Sequence, residues 1–427
     1  MFLHGLDSPN LGNMVPCCYH RAELTCVDRA RADAASGRVS PSSRAQATAT
    51  LNLVSVPLAV LGGAIYLVLS LNVIRSLLVP RIDRSGLLRL VIRILTIPGQ
   101  LARGRVRNYE ARDRILAFEG PISLLVLLGV WVIGYLLSLS LLLLPAVSNP
   151  FSALAQAGSS LVTLGIVSTA QGWAQAIDIL AGLTGLFIVA LQIAYLPTLY
   201  GAYNRRETEV TMLVARAGEP TWGPEILARA QLMSLIDELP DFYRQWERWA
   251  ADVQESHASY PALMLFRSPS AYSSWVIALL AVCDSAALFH SVAPERTPIE
   301  ARLALRMGYL CFRRLSSALG YEVNDDPGPN DQIVLTSAEF DRGFDRLVAA
   351  GFAMERNRED AWVHFHAWRV NYEEAAYFLA NRTDAVPAPW SGRRYSGQTT
   401  VPFRHLKNRT PEDPEGATRT PYYPEDA

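Results

Sequence analysis

The chain has 427 residues, of which 50% are hydrophobic and 19% charged, and its formal net charge is −1. With a mean hydropathy of +0.13, too many charges for a wholly membrane-embedded chain accompany too many apolar residues for a wholly soluble one, so one part is expected in each phase. A net charge this close to zero leaves no bulk basic surface and excludes nucleic acid as the expected partner.

Residues 1–50 lack sustained periodicity and become rich in Ala, Ser, Arg and Asp, which predicts a disordered or loosely helical tail without an apolar secretory stretch. The five cysteines form no regular framework. Cys17, Cys18 and Cys26 lie in this tail near His20; they offer metal-ligand residue types but no second C-x-x-C half, so unpaired thiols and no metal site are expected. Cys283 and Cys311 sit in apolar helical patterns that suit buried free thiols.

Residues 51–74 form the first run long enough to span a bilayer, containing Pro57 and Gly62-Gly63 and closed by Arg75. The nine arginines of residues 81–114, among them Arg81, Arg93, Arg112 and Arg114, predict a cytoplasmic loop. Within it Leu87, Leu88, Leu90, Val91, Ile94 and Leu95 alternate with arginines, as in an amphipathic helix on an anionic leaflet or a soluble linker helix. Residues 121–144 are a second, leucine-rich span carrying Trp131 and Tyr135.

Residues 149–167 follow, and their apolar core, Phe151 to Val162, is too short to cross a bilayer yet is caught between two spanning runs. Asn149 supplies a helix cap and Pro150 suits the first helical position, where no N–H is needed. The helix that starts there would end on Thr163-Leu164-Gly165 with the negative end of its dipole toward the turn, which favours a cation. The third span covers about residues 177–200 and ends in Asn204-Arg205-Arg206, back on the cytoplasmic side. Thr184 and Gln192 are polar within it, so at least one faces the bundle interior. Asp178 is either a mouth charge that concentrates cations or a first-turn residue that compensates the helix dipole.

Residues 149–167 with their flanking spans resemble the pore region of the potassium channel superfamily. That family often opens its pore helix with Ala-Leu, the Ala ten residues ahead of the first Thr of T-x-G-Y-G, and Ala153-Leu154 stands in that relation to Thr163-Leu164-Gly165. The resemblance implies a selectivity filter at Thr163, Leu164, Gly165, Ile166 and Val167, where backbone carbonyls and the Thr hydroxyl replace an ion's hydration shell. Ile166-Val167 stands in place of Tyr-Gly, and a β-branched Val does not readily take the positive φ of a filter glycine, so the outermost site is altered. The resemblance further implies a homotetramer, since one loop supplies one quarter of a four-fold filter. Gly182 and Gly185 are similar to the glycines at which the family's inner helices bend, and Pro197 removes a helical hydrogen bond near the cytoplasmic mouth, so all three are gate or hinge candidates. Close helix packing through small residues is the competing reading.

From Glu207 onward the pattern predicts a helical bundle. Thr297-Pro298-Ile299-Glu300 and Thr336-Ser337-Ala338-Glu339 read as capping boxes. Residues 275–288 are apolar but short and contain Asp284, so they predict a buried core helix. In the polar-aromatic stretch after Trp246, Glu255, His257 and Arg267 are candidates for a ligand or sensor pocket, with His257 titrating near neutrality; a polar network tying helices together is the other reading. His364 and His366 fall on opposite faces of a helix or on one face of a strand, the helical spacing disfavouring joint metal binding, and no H-E-x-x-H, G-x-S-x-G or Walker-type loop occurs, so no enzyme and no cofactor is expected.

The expected fold is therefore an all-α membrane protein: transmembrane helices with a re-entrant pore helix and loop, joined to a cytoplasmic helical domain. Residues 1–50 would be a disordered tail, 51–206 the pore domain, 207–383 the helical domain and 384–427 a second disordered tail. The expected activity is passive transport of a monovalent cation, potassium first, through a homotetramer in the plasma (inner) membrane bilayer, with the cytoplasmic domain as a candidate gating and sensing element. A non-conducting membrane anchor or signalling scaffold that keeps the pore fold is the alternative.

Overall fold

The computed structural model describes residues 41–77, 106, 108–147, 149–167 and 172–394, with residues 401, 411, 412 and 414. The tail cysteines Cys17, Cys18 and Cys26, the amphipathic pattern of residues 87–95 and most of the C-terminal tail lie outside these residues. The described residues form helices and no strand.

α1 (Pro41–Leu77), α3 (Glu119–Leu143) and α5 (Gly172–Ala217) are the long apolar helices, and α4 (Pro150–Leu161) lies between α3 and α5 in sequence. α1 starts at Pro41, inside the stretch expected to be tail, because the Arg-, Ala- and Gln-containing run before residue 51 has good helix propensity and extends the span. α1 and α3 run antiparallel: Trp131 Nε1 donates to Asn72 Oδ1 at 3.1 Å, and Tyr135 OH donates to Ser70 Oγ at 3.1 Å. Farther along α1 and α3, a Cβ on Gly62 would lie 2.7 Å from the Ser138 carbonyl oxygen, so a small residue is what lets the two backbones touch. Thr184 turns inward as expected, donating to the Leu180 carbonyl and lying 2.7 Å from Tyr66 OH on α1.

Among the described residues four helices are long and apolar enough to cross a membrane, consistent with a multi-pass membrane protein. They divide sharply by burial. The apolar windows in Val54–Ser76, Tyr109–Leu143 and Gly172–Ala217 are 11%, 33% and 17% buried, whereas that of Trp275–Val292 is 94% buried. The first three leave Val60, Leu67, Leu125, Ile179, Phe187 and Ile193 exposed, a surface that water would not tolerate and lipid or protein would cover. The fourth has no such free surface: as α8 (Trp275–Val292) it is the core of the helical domain, and its Asp284 is held inside by Arg369 and, at 2.7 Å, by Tyr372 OH.

Around α8 pack α6 (Gly223–Leu232), α7 (Leu239–Ser259), α9 (Ile299–Ala318), α11 (Arg358–Arg369) and α12 (Glu373–Arg382), with α10 (Ser337–Ala349) against α6 and α11. The Thr336 box forms as expected, Glu339 N–H donating to Thr336 Oγ1 at 3.2 Å and Thr336 N–H to Glu339 Oε2 at 2.8 Å. The Thr297 box does not. Pro298 is the cap residue there, Thr297 Oγ1 donates to the Ala293 carbonyl, and Glu300 is drawn away to Arg244 of α7 at 2.7 Å.

Two expected boundaries also move. α5 is one helix of 46 residues that runs through Pro197 and past residue 206, so its last turns, with Val210, Leu213 and Ala217, belong to the domain core. Residues 384–394 are packed rather than tail. Trp390 stacks on Phe340 and packs against Trp222 edge-on and Phe365 at a tilt, and Arg394 donates to the carbonyls of Ala385, Val386 and Ser391, which gives this Pro-containing segment both apolar contacts and a donor for its carbonyls. α2 (Tyr109–Leu116) joins the same core: Arg112 pairs with Asp384 at 2.8 Å with both side chains buried, so this arginine of the basic loop is structural.

Candidate functional site

α4 begins as its sequence dictates. Asn149 accepts from the Phe151 N–H at 3.0 Å and Pro150 occupies the first turn. At 12 residues α4 is about 18 Å long at ~1.5 Å per residue, well short of a bilayer core. Ala153, Gln156, Ala157, Ser159, Ser160 and Leu161 are buried, and Phe151 is exposed.

The helix stops in a double-bonded C-cap. Thr163 N–H donates to the Ser160 carbonyl at 3.0 Å and Leu164 N–H to the Ser159 carbonyl at 2.8 Å, with Thr163 in the left-handed region at φ 59°. Glycine is the usual residue there; a β-branched one in that conformation stores about 1–2 kcal/mol. Gly165, at φ 65°, carries the second reversal, whereas Val167 does not adopt positive φ. The chain then folds back on the same serine. Gly165 N–H donates to the Ser159 carbonyl at 3.4 Å, and the N–H groups of Ile166 and Val167 donate to Ser159 Oγ at 2.8 and 3.2 Å. Ser159 thus accepts from four successive peptides. In a trans peptide the N–H and the preceding C=O point in opposite directions, so the carbonyls of Thr163, Leu164, Gly165 and Ile166 are turned away from Ser159. Their residues are all exposed.

α5 holds α4 in place. Asp178 Oδ2 accepts from Gln156 Nε2 at 2.9 Å and Oδ1 from Ser160 Oγ at 2.8 Å. Asp178 is in the second turn, because α5 starts at Gly172, and its carboxylate is spent on α4 rather than on the helix end or an open mouth. A Cβ on Gly185 would lie 1.8 Å from the Leu161 carbonyl oxygen, and one on Gly182 3.5 Å from that of Ser160. Both glycines are contact points with α4 inside an unbroken helix, which favours the packing reading over the hinge; the helix also continues through Pro197, whose missing N–H leaves out one hydrogen bond without ending it. The sequence reading missed Ser159, Ser160 and Gln156, although three polar residues near the end of a short apolar helix were a visible signal.

Family models, curated proteins and solved structures give no match to the chain.

The three sensor candidates do not converge. Glu255 is exposed on α7. Arg267 lies instead with α2 and the C-terminal segment, bonding Asp113, Tyr109 OH at 2.8 Å and the carbonyls of Thr383 and Asp384 at 2.6 and 3.0 Å. His257 is fully buried against Trp275, with Nε2 2.9 Å from Arg206 Nη1 and Nδ1 3.0 Å from Ser256 Oγ. A guanidinium only donates, so Nε2 accepts and the imidazole is neutral. Burial first, and the Arg206 charge second, hold its pKa well below 6.5, which overturns the expected titration near neutrality.

That shift has a sign. A histidine whose folded pKa is depressed binds its proton more readily in the unfolded chain, so its contribution is complete above pH ~6.5 and is lost as pH falls from there toward the folded value. The slope approaches ~1.4 kcal/mol per pH unit in that window. Denaturant unfolding of the wild type should therefore weaken more steeply between pH 6.5 and 5 than that of His257→Gln, and parallel pH profiles would refute the assignment.

Proposed function

We propose that the chain supplies one quarter of a homotetrameric pore for monovalent cations, potassium first, with Thr163, Leu164, Gly165, Ile166 and Val167 as its lining and α4 as a re-entrant helix. The single observation that carries this reading is the fourfold donation to Ser159, which turns four consecutive carbonyls away from that serine on a loop whose residues are all exposed. Oxygen ligands in a row suit a dehydrated monovalent cation. The exposed apolar faces of α5 beside this loop are what neighbouring copies would cover around an axis. The arginines of residues 81–107, read by the positive-inside rule, support a cytoplasmic position for the helical domain at the plasma (inner) membrane. No covalent chemistry is assigned to the protein.

The test is conductance of the purified full chain in planar bilayers after native mass spectrometry has established a tetramer. A cation current whose reversal potential follows the potassium gradient is expected; a tetramer silent at every voltage, pH and calcium concentration overturns the reading. One observation favours the alternative of a non-conducting anchor or scaffold: the left-handed Thr163 cap ties the Ser159 and Ser160 carbonyls to backbone N–H groups, so they are not free to face an ion. Combining Ile166→Tyr with Val167→Gly separates the two. Potassium flux in the double variant alone would mean an intact frame with a silent native loop.

A further inference from the structure

We infer that the helical domain regulates the loop through α5 and that Asp178 is the positioning residue that passes its motion on, an inference resting on the pore reading above. α5 is a continuous rod joined at one end to the domain. There Arg206 donates to the carbonyls of Leu263 and Phe266 at 2.9 and 2.7 Å, and Trp249 Nε1 donates to the Arg206 carbonyl at 3.0 Å. The Phe266 ring packs against Tyr200 and Tyr203 of α5, with centroids 5.9 and 5.8 Å apart.

At the other end, roughly 40 Å away at ~1.5 Å per residue, α5 grips α4. Asp178 holds Gln156 and Ser160, one helical turn apart on one face of α4, so a single carboxylate resists both sliding and rolling of that helix. The Leu161 carbonyl seated against Gly185 closes the contact. α4 in turn fixes the loop through Ser159. Bending α5 at Gly185 would open this contact, whereas moving α5 as a rod carries α4 and the loop carbonyls with it.

The experiment is amide exchange over residues 163–167 in the full chain in lipid nanodiscs, for wild type, Phe266→Ala, Asp178→Ala, Asp178→Asn and the Phe266→Ala/Asp178→Ala double variant. Phe266→Ala should raise loop exchange about 10-fold, and Asp178→Ala should both raise it and remove the further effect of Phe266→Ala. Asp178→Asn, which keeps polar atoms facing Gln156 and Ser160, should restore most of the protection. The shift in domain melting caused by Phe266→Ala should be the same with either residue at 178, so a general loss of structure does not mimic the result. Loop exchange that ignores Phe266→Ala, or responds equally in both backgrounds, overturns the inference. Currents on the same samples keep the two readings apart: coupled exchange without current defeats the pore alone, and current with uncoupled exchange defeats the coupling alone.

Discussion

Gly185→Ala is expected to loosen α4 from α5 and to lower the stability of the membrane helices by about 1–3 kcal/mol, with Gly185→Val worse. The added methyl would sit 1.8 Å from the Leu161 carbonyl oxygen, and that oxygen belongs to backbone, so no rotamer change relieves it. Either α4 shifts outward or α5 does. Any shift loads the two hydrogen bonds of Asp178 and the C-cap that begins the loop. Gly182→Ala is the control, because its methyl would meet the Ser160 carbonyl at 3.5 Å, an ordinary contact, and should change stability by less than about 0.5 kcal/mol. Thermal unfolding of the two variants in lipid nanodiscs decides between the readings of these glycines. A hinge would make both substitutions stiffen α5 with little loss of stability; packing makes one severe and the other mild.

The same pair shows what the sequence could and could not carry. Gly182 and Gly185 are indistinguishable as letters three residues apart, and their difference is created by a carbonyl of another helix. Features that depend on one continuous stretch were legible. The three exposed spans, the buried α8 with its single Asp284, the Asn149 cap and the Thr336 box each follow from local length, hydropathy or cap chemistry. Features that depend on a partner far along the chain were not. Glu300 left its box for Arg244, 56 residues earlier. Trp390 and Arg394 organised a segment that composition alone reads as tail. Glu255, His257 and Arg267 lay close in sequence yet went to solvent, to Arg206 and to α2. The candidate loop falls between these cases: its flanks and Gly165 were legible, but not the convergence of its amides on Ser159, because a serine inside a short helix does not announce which backbone will return to it.

Arg205 and Arg206 carry the sharpest case of this kind. Read together after a spanning run, both are cytoplasmic charges that fix orientation. Arg205 is exposed and paired with Asp252 at 3.0 Å, as a solvated charge would be. Arg206, the very next residue, is fully buried, with Glu207, His257 and the carbonyls of Leu263 and Phe266 around its guanidinium. Arg206→Met should therefore cost about 3–5 kcal/mol in denaturant unfolding, because it leaves the Glu207 carboxylate unpaired inside and strips two carbonyls of their donors. Arg205→Met removes a solvated pair and should cost no more than ~1 kcal/mol. Adding Glu207→Gln to Arg206→Met should recover part of the loss by deleting the stranded charge, while the two carbonyls keep the remainder. If the two single variants unfold alike, Arg206 is an interfacial charge after all, and α5 loses the buried anchor that makes it part of the domain.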